Sequence, residues 1–243
     1  MNLPLLSPGL LARRALLLLL AGALVAADAT PHVPLESRPL RYAKEIAAFE
    51  AADRAAPPAP GQVALAGASS LRMWSSAPSD FAPYPILNRG FGGAFSTEVL
   101  GYLDRIVLPH KPRVVVYQAG GNDIWAGDPP AAAVDRARRV VQRLRAAQPG
   151  LPVVILAAPL APVRRAKWEA FAEFNRGTAA LAKEAPGVWF VDINPALNQP
   201  DGEPRPDTYL PDALHPSPAG YAAMAKLIRP ALDAAWKAGE PAR

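Results

Sequence analysis

No cysteine occurs among the 243 residues. That excludes disulfide staples, thiol catalysis and cysteine-ligated metal centres together. Histidine is nearly as scarce, with only His32, His110 and His215 able to serve as a neutral-pH base or an imidazole ligand. No apolar run is long enough to cross a bilayer: the longest, Ala15 to Ala26, has 12 residues where about 20 are needed. A phosphate-binding loop is missing as well, with no Gly-Lys-Ser/Thr and no Gly-x-Gly-x-x-Gly after a strand. The chain is basic, with formal net charge +5, yet no basic run is interleaved with aromatics as single-strand nucleic-acid binders require. Arg136, Arg138, Arg139, Arg143 and Arg145 fall on one expected helix and read as a solvated face. Nucleic acid is not expected as a partner.

What is present suits a globular protein, with 51% hydrophobic and 19% charged residues. Arg13 and Arg14, the short apolar run, then Ala27-Asp28-Ala29 form the pattern of a secretory signal. Residues 1–29 are therefore expected to be an export leader, giving a periplasmic or secreted protein with no stable membrane span after cleavage. An uncleaved N-terminal anchor is the alternative. Residues 30–60 form an extension with one helix, Tyr42 to Ala55, and residues 61–243 form one domain.

Within that domain short β-branched runs alternate with helical patterns. The runs are Gln62 to Gly67, Pro85 to Asn88, Arg113 to Ala119, Pro152 to Ala157 and Val188 to Asp192. Their lack of polar alternation suits strands covered on both faces. Helices are expected from Ser96 to Val107, opened by a Ser or Thr cap, and over 130–147, 166–184 and 217–238. The last is capped by Ser217 and bent at Pro230. This is an α/β pattern with right-handed crossovers, so ligands belong at the carboxyl ends of the strands.

Chemistry-bearing residues sit at those ends. Near the C-terminus, Pro211-Asp212-Ala213-Leu214-His215-Pro216 places a carboxylate three residues before an imidazole. Such a carboxylate can reach Nδ1, fix the tautomer and stabilise the imidazolium. The first strand runs into Gly67-Ala68-Ser69-Ser70-Leu71, which puts Ser69 at the start of a helix, either as a cap or as an exposed nucleophile. The second runs into Asn88-Arg89-Gly90-Phe91-Gly92-Gly93, an ordinary turn or a backbone N–H, from Gly93, aimed at an oxyanion. The third runs into Gly120-Gly121-Asn122-Asp123, where the Asn amide can donate to an oxyanion and an ionised Asp cannot. Trp74, Phe91, Phe95 and Trp125 either line an acyl pocket or pack as core.

In chain order, from Gly67 to the final Asp-x-x-His, the four stretches resemble the SGNH hydrolases, also called the GDSL-type esterase/lipase superfamily, from about Gln62 to the final helix. The resemblance implies a flavodoxin-like three-layer α/β/α sandwich around a five-stranded parallel sheet. It implies Ser69 as nucleophile, His215 as general base and Asp212 as its orienter. The oxyanion would be held by the Ser69 N–H, Gly93 and Asn122. The implied activity is a serine esterase acting on small-molecule, lipid or carbohydrate esters, with no cofactor and no metal. One departure is that Ala68 stands where the family's name motif has Asp. The first block, with Leu71-Arg72-Met73-Trp74, looks like a bacterial branch with a Gly-Ser-Ser-Ser-like motif. An O-acyltransferase, or a non-catalytic envelope protein keeping the fold for binding, would use the same framework.

Overall fold

The computed structural model describes residues 35–240, so the expected leader at 1–29 lies outside the described residues. Helix α1 (Ala43–Ala55) precedes the sheet. Then come β1 (Val63–Gly67), α2 (Ser69–Arg72), α3 (Ala77–Asp80), β2 (Ile86–Gly90), α4 (Ser96–Ile106) and β3 (Val114–Gln118). After these run α5 (Gly121–Trp125), α6 (Pro130–Ala147), β4 (Val153–Leu156), α7 (Trp168–Glu184), β5 (Val188–Val191), α8 (Asn194–Leu197) and α9 (Pro218–Ala238). All pairings in the five-stranded sheet are parallel, in the order β2-β1-β3-β4-β5. The sequence therefore runs outward from β1 to one edge, returns past it, and continues to the other edge. The reversal opens a crevice at the carboxyl ends of β1 and β3.

The two-residue period of a strand sends neighbouring side chains to opposite layers. Ala64, Ala66, Val115 and Tyr117 join Ile46 of α1, Leu103 of α4 and Val140 of α6 in one core. Val63, Leu65, Val114 and Val116 join Leu71 of α2, Leu197 of α8 and Met224, Ile228 and Leu232 of α9 in the other. The result is the expected α/β/α sandwich. Continuous burial holds along β1, β3 and β4, while edge strands β2 and β5 are covered incompletely.

Several local expectations need correction. Strand β2 continues past Asn88 to Gly90 because Arg89, although charged, is buried against Asp53 of α1 and donates from Nε to the Ile106 carbonyl at 3.0 Å. His110 completes that cluster, with Nε2 3.0 Å from Asp53 Oδ2. No Ser or Thr caps α4: Phe95 precedes it, and the Glu98 carboxylate accepts the Phe95 N–H at 2.9 Å. Ser96 lies inside the helix and gives its hydroxyl to Asp123. Arg136 is not part of a solvated face but is buried among carboxylates. Trp74 and Phe91 belong to the core, not to a pocket wall. Ser217 does cap α9, accepting the Gly220 N–H at 3.1 Å, and the helix continues through Pro230.

Candidate active site

Ser69 opens α2 directly after β1, where the N–H of a first-turn residue has no acceptor within its own helix. Helix α2 lies tightly against the end of β2. A Cβ at Gly90 would stand 2.3 Å from the Arg72 nitrogen, so only glycine permits the approach that aims Ser69 into the crevice. Gly120, at φ 107, makes the equivalent sharp turn between β3 and α5, and delivers Asn122 to the same crevice. The Asn122 amide is fixed at both ends. Its Nδ2 donates to the Ala94 carbonyl at 3.0 Å, and its Oδ1 accepts from Arg164 Nη2 at 2.7 Å.

His215 arrives from a loop folded back on itself. Ala213 takes left-handed φ 53, a strained choice for a residue with a Cβ, and this closes the Asp-x-x-His turn. Asp212 Oδ1 then accepts the N–H groups of Leu214 and His215 at 2.9 and 3.0 Å, while Oδ2 lies 2.7 Å from His215 Nδ1. On the far side of the ring, Nε2 lies 2.8 Å from Ser69 Oγ. The contact selects Ser69 over Ser70, whose carbonyl instead accepts the Tyr221 hydroxyl at 2.7 Å.

Ser69, Asn122 and His215 line one small cavity of about 40 Å³ together with Gln118, Arg164, Ala119, Ala158 and Pro159. Its walls come from the carboxyl ends of β1, β3 and β4 and from the histidine loop. Gly93 is not among the lining residues. It sits exposed in the loop after β2 at φ 70, next to the Ala94 carbonyl that holds Asn122, and its own carbonyl accepts from Arg41 Nη2 at 3.1 Å. Trp125 is 45% exposed at the rim, with the Arg164 guanidinium 5.7 Å from its ring. Phe95 lies under Arg41, 4.5 Å from ring centre to guanidinium. Among the described residues no three His, Cys, Asp or Glu side chains gather as a metal site, and no helix is long and apolar enough to cross a membrane.

A serine hydroxyl, an imidazole and a carboxylate stand in one hydrogen-bonded line at a sheet crevice, an arrangement whose chemistry suits a nucleophile, a base and an orienter. The model of the GDSL-like Lipase/Acylhydrolase family matches residues 61–223. The chain belongs to this family. Membership makes it a hydrolase of the lipase/acylhydrolase kind, with small-molecule esters as the substrate class. Solved structures carry the same fold as this family member. One is a protein from Streptococcus pneumonia named for platelet activating factor, with 21% identity, TM-score 0.69, and 78% of this chain and 91% of that one covered. Another is a GDSL-like lipase from Bacteroides thetaiotaomicron VPI-5482, with 23% identity, TM-score 0.65, and 78% and 99% covered. A third is a lipase from a goat rumen metagenome, with 18% identity, TM-score 0.57, and 70% and 97% covered. Among curated proteins none matches this chain.

Two site features were not signalled by the motifs. Arg164 lies in a short 3-10 segment between β4 and α7 that no pattern marks. Asp123, which while ionised cannot donate to an oxyanion, has a different place. It is a fully buried residue of α5 and accepts from the Ser96 N–H and from Arg136 Nη1, at 3.1 Å each. Burial pushes the Asp123 carboxyl up from its ordinary value, against the pull of Ser96 and Arg136.

Partial burial would raise the Asp212 carboxyl, but bonds from the His215 ring and from the N–H groups of His215 and Leu214 outweigh it. They hold its pKa down to about 2, against an ordinary 3.8. A carboxyl depressed on folding contributes stability that is complete above the unfolded value and lost as pH falls through the folded one. The loop's contribution is thus expected to fade only between about pH 4 and pH 2. NMR titration of the Asp212 carboxyl carbon should show no protonation at pH 3.8, and a midpoint there would contradict the geometry.

Proposed function

We propose that the protein is a serine esterase that hydrolyses carboxylic esters through an acyl-enzyme. The observation that carries this reading is the line Ser69 Oγ, His215 Nε2, His215 Nδ1, Asp212 Oδ2, with contacts of 2.8 and 2.7 Å. His215 takes the Ser69 proton as Oγ bonds to the ester carbonyl carbon. The tetrahedral oxyanion accepts from the Ser69 N–H, from the second Asn122 Nδ2 proton and from the Gly93 N–H. His215 then gives its proton to the leaving alcohol. Water, deprotonated by the same imidazole, releases the acid.

The cavity's size and its polar wall of Gln118, Asn122 and Arg164 favour a short acyl group over a long alkyl chain. The test is hydrolysis of p-nitrophenyl acetate, butyrate and octanoate by the full chain, with fluorophosphonate labelling mapped to its residue. Turnover that falls with chain length, and a label on Ser69, are expected. A folded protein that takes no label would end the esterase reading in favour of a binding role. Removal of the Asn122 donor by Asn122→Ala should lower kcat roughly a hundredfold, since an oxyanion donor is typically worth about 3 kcal/mol. Undiminished turnover would remove Asn122 from the oxyanion hole.

Export is part of the proposal, supported by the leader pattern in residues 1–29. The mass of the protein recovered outside the cytoplasm should fit a chain beginning near residue 30, and a full-length mass there would indicate the anchor.

A further inference from the structure

Two arginines are taken out of bulk water near the crevice, and they are treated in opposite ways. Arg136 is neutralised several times over, by Asp123, Asp128 and Glu36. Among the described residues Arg164 has no carboxylate in contact, and the one hydrogen bond of its guanidinium runs from Nη2 to Asn122 Oδ1 at 2.7 Å. Its guanidinium rests near the rings of Trp125 and Phe171, at 5.7 and 5.8 Å, and Nη1 would stand 3.4 Å from a Cβ placed on Gly121 at the start of α5. An uncompensated cation in a pocket wall is costly, and burial depresses its pKa accordingly. Its charge is spent on the amide that the esterase reading makes an oxyanion donor.

The segment that carries Arg164 is itself wired to the rest of the site. Val163 N donates to the Ala213 carbonyl of the histidine loop at 3.2 Å. Lys167 Nζ donates to the Ile124 and Trp125 carbonyls at 3.1 and 2.9 Å, at the end of α5. Three residues of Pro162–Lys167 thus hold the base's loop, the Asn122 side chain and the helix on which Asn122 rides.

We propose that Arg164 is a positioning residue that orients and polarises the Asn122 amide, so that an oxyanion held by that amide feels a full positive charge one hydrogen bond away. The inference rests on the esterase reading. A guanidinium bonded to Oδ1 draws electron density from the amide and makes the Nδ2 protons stronger donors. Because the developing charge exists only in the transition state, the effect belongs in kcat and not in KM.

The test is a double-mutant cycle in the full chain, read on p-nitrophenyl acetate. Arg164→Met should lower kcat roughly tenfold at little-changed KM, with Arg164→Lys recovering part of the loss. In an Asn122→Ala background, Arg164→Met should cost nothing further. An unchanged kcat in Arg164→Met, or the same fold-loss with and without Asn122, would overturn the proposal. Should Arg164→Met fail to fold, Arg164→Gln and Arg164→Lys carry the same cycle. A second readout is independent of turnover: the Asn122 side-chain NH₂ resonances should move in the ¹⁵N spectrum of the Arg164 variant, and unmoved resonances would refute the coupling. Failure of the esterase reading would look different, as turnover that survives Ser69→Ala.

Discussion

Exchange of Ser69 for alanine is expected to lower kcat about a millionfold, and His215→Ala should cost nearly as much. The double variant should be no worse than either single one. The hydroxyl is a poor nucleophile until an imidazole accepts its proton, and the imidazole does nothing for the ester without the hydroxyl 2.8 Å from Nε2. Residual turnover above water would come from the oxyanion donors and from binding alone. Steady-state kinetics on p-nitrophenyl acetate, with circular dichroism to confirm folding, measures the effect. Additive losses would mean that the two residues serve separate steps, and Ser69→Ala with full turnover would mean that the nucleophile lies elsewhere.

Arg136→Met should be the most damaging change away from the reacting atoms, at about 3–5 kcal/mol. The guanidinium is 2% exposed and binds Asp128, Asp123 Oδ1 at 3.1 Å and Glu36 Oε1 at 2.6 Å, so methionine would leave buried carboxylates without their cation. For a domain of this size the loss should appear as a fall in Tm of roughly 10 °C. Arg138→Ala, on the same helix but 42% exposed, should stay within about 0.5 kcal/mol. The sign of the pH effect is specific. A buried carboxyl whose pKa is raised above 3.8 on folding makes the native state bind more protons than the unfolded one. The deficit of Arg136→Met should therefore shrink as pH falls toward that range, and a deficit that grows with acid would argue against uncompensated carboxylates as its cause.

The contrast between Arg136 and Arg138 also shows where sequence reading stops. Both are arginines on one helix, and composition assigns both to solvent, because a buried cation is decided by partners from α5 and from residue 36 that no local pattern links. Arg89 misleads in the same way: a charge at the end of β2 reads as the strand's limit until Asp53, on a separate helix, is seen to neutralise it. By contrast the central strands and the long helices were legible, since both-face burial and 3.6-residue spacing are written directly into residue order. The residues at the strand ends were legible for a related reason. An α/β sheet confines its ligand crevice to those ends, so Ser69 and Asn122 stand out in the turns after β1 and β3, whereas His215, in the loop before α9, stands out by the carboxylate three residues ahead of it. The glycine cluster after β2 marks Gly93 by the same rule, but Gly93 is not among the residues that line the cavity. Arg164 carries no signal of its own, because its importance lies in one bond to a side chain 42 residues earlier.

The loop strained at Ala213 has a consequence in time. On the esterase reading, Ser69 follows the first strand and His215 stands 146 residues later, so the hydroxyl is made long before the group that would activate it. At a synthesis rate of about 5–20 residues per second, the nucleophile waits roughly ten seconds or more as an ordinary alcohol. On that reading, a chain that ends before His215 has no competent serine, and closure of the turn before α9 completes the site.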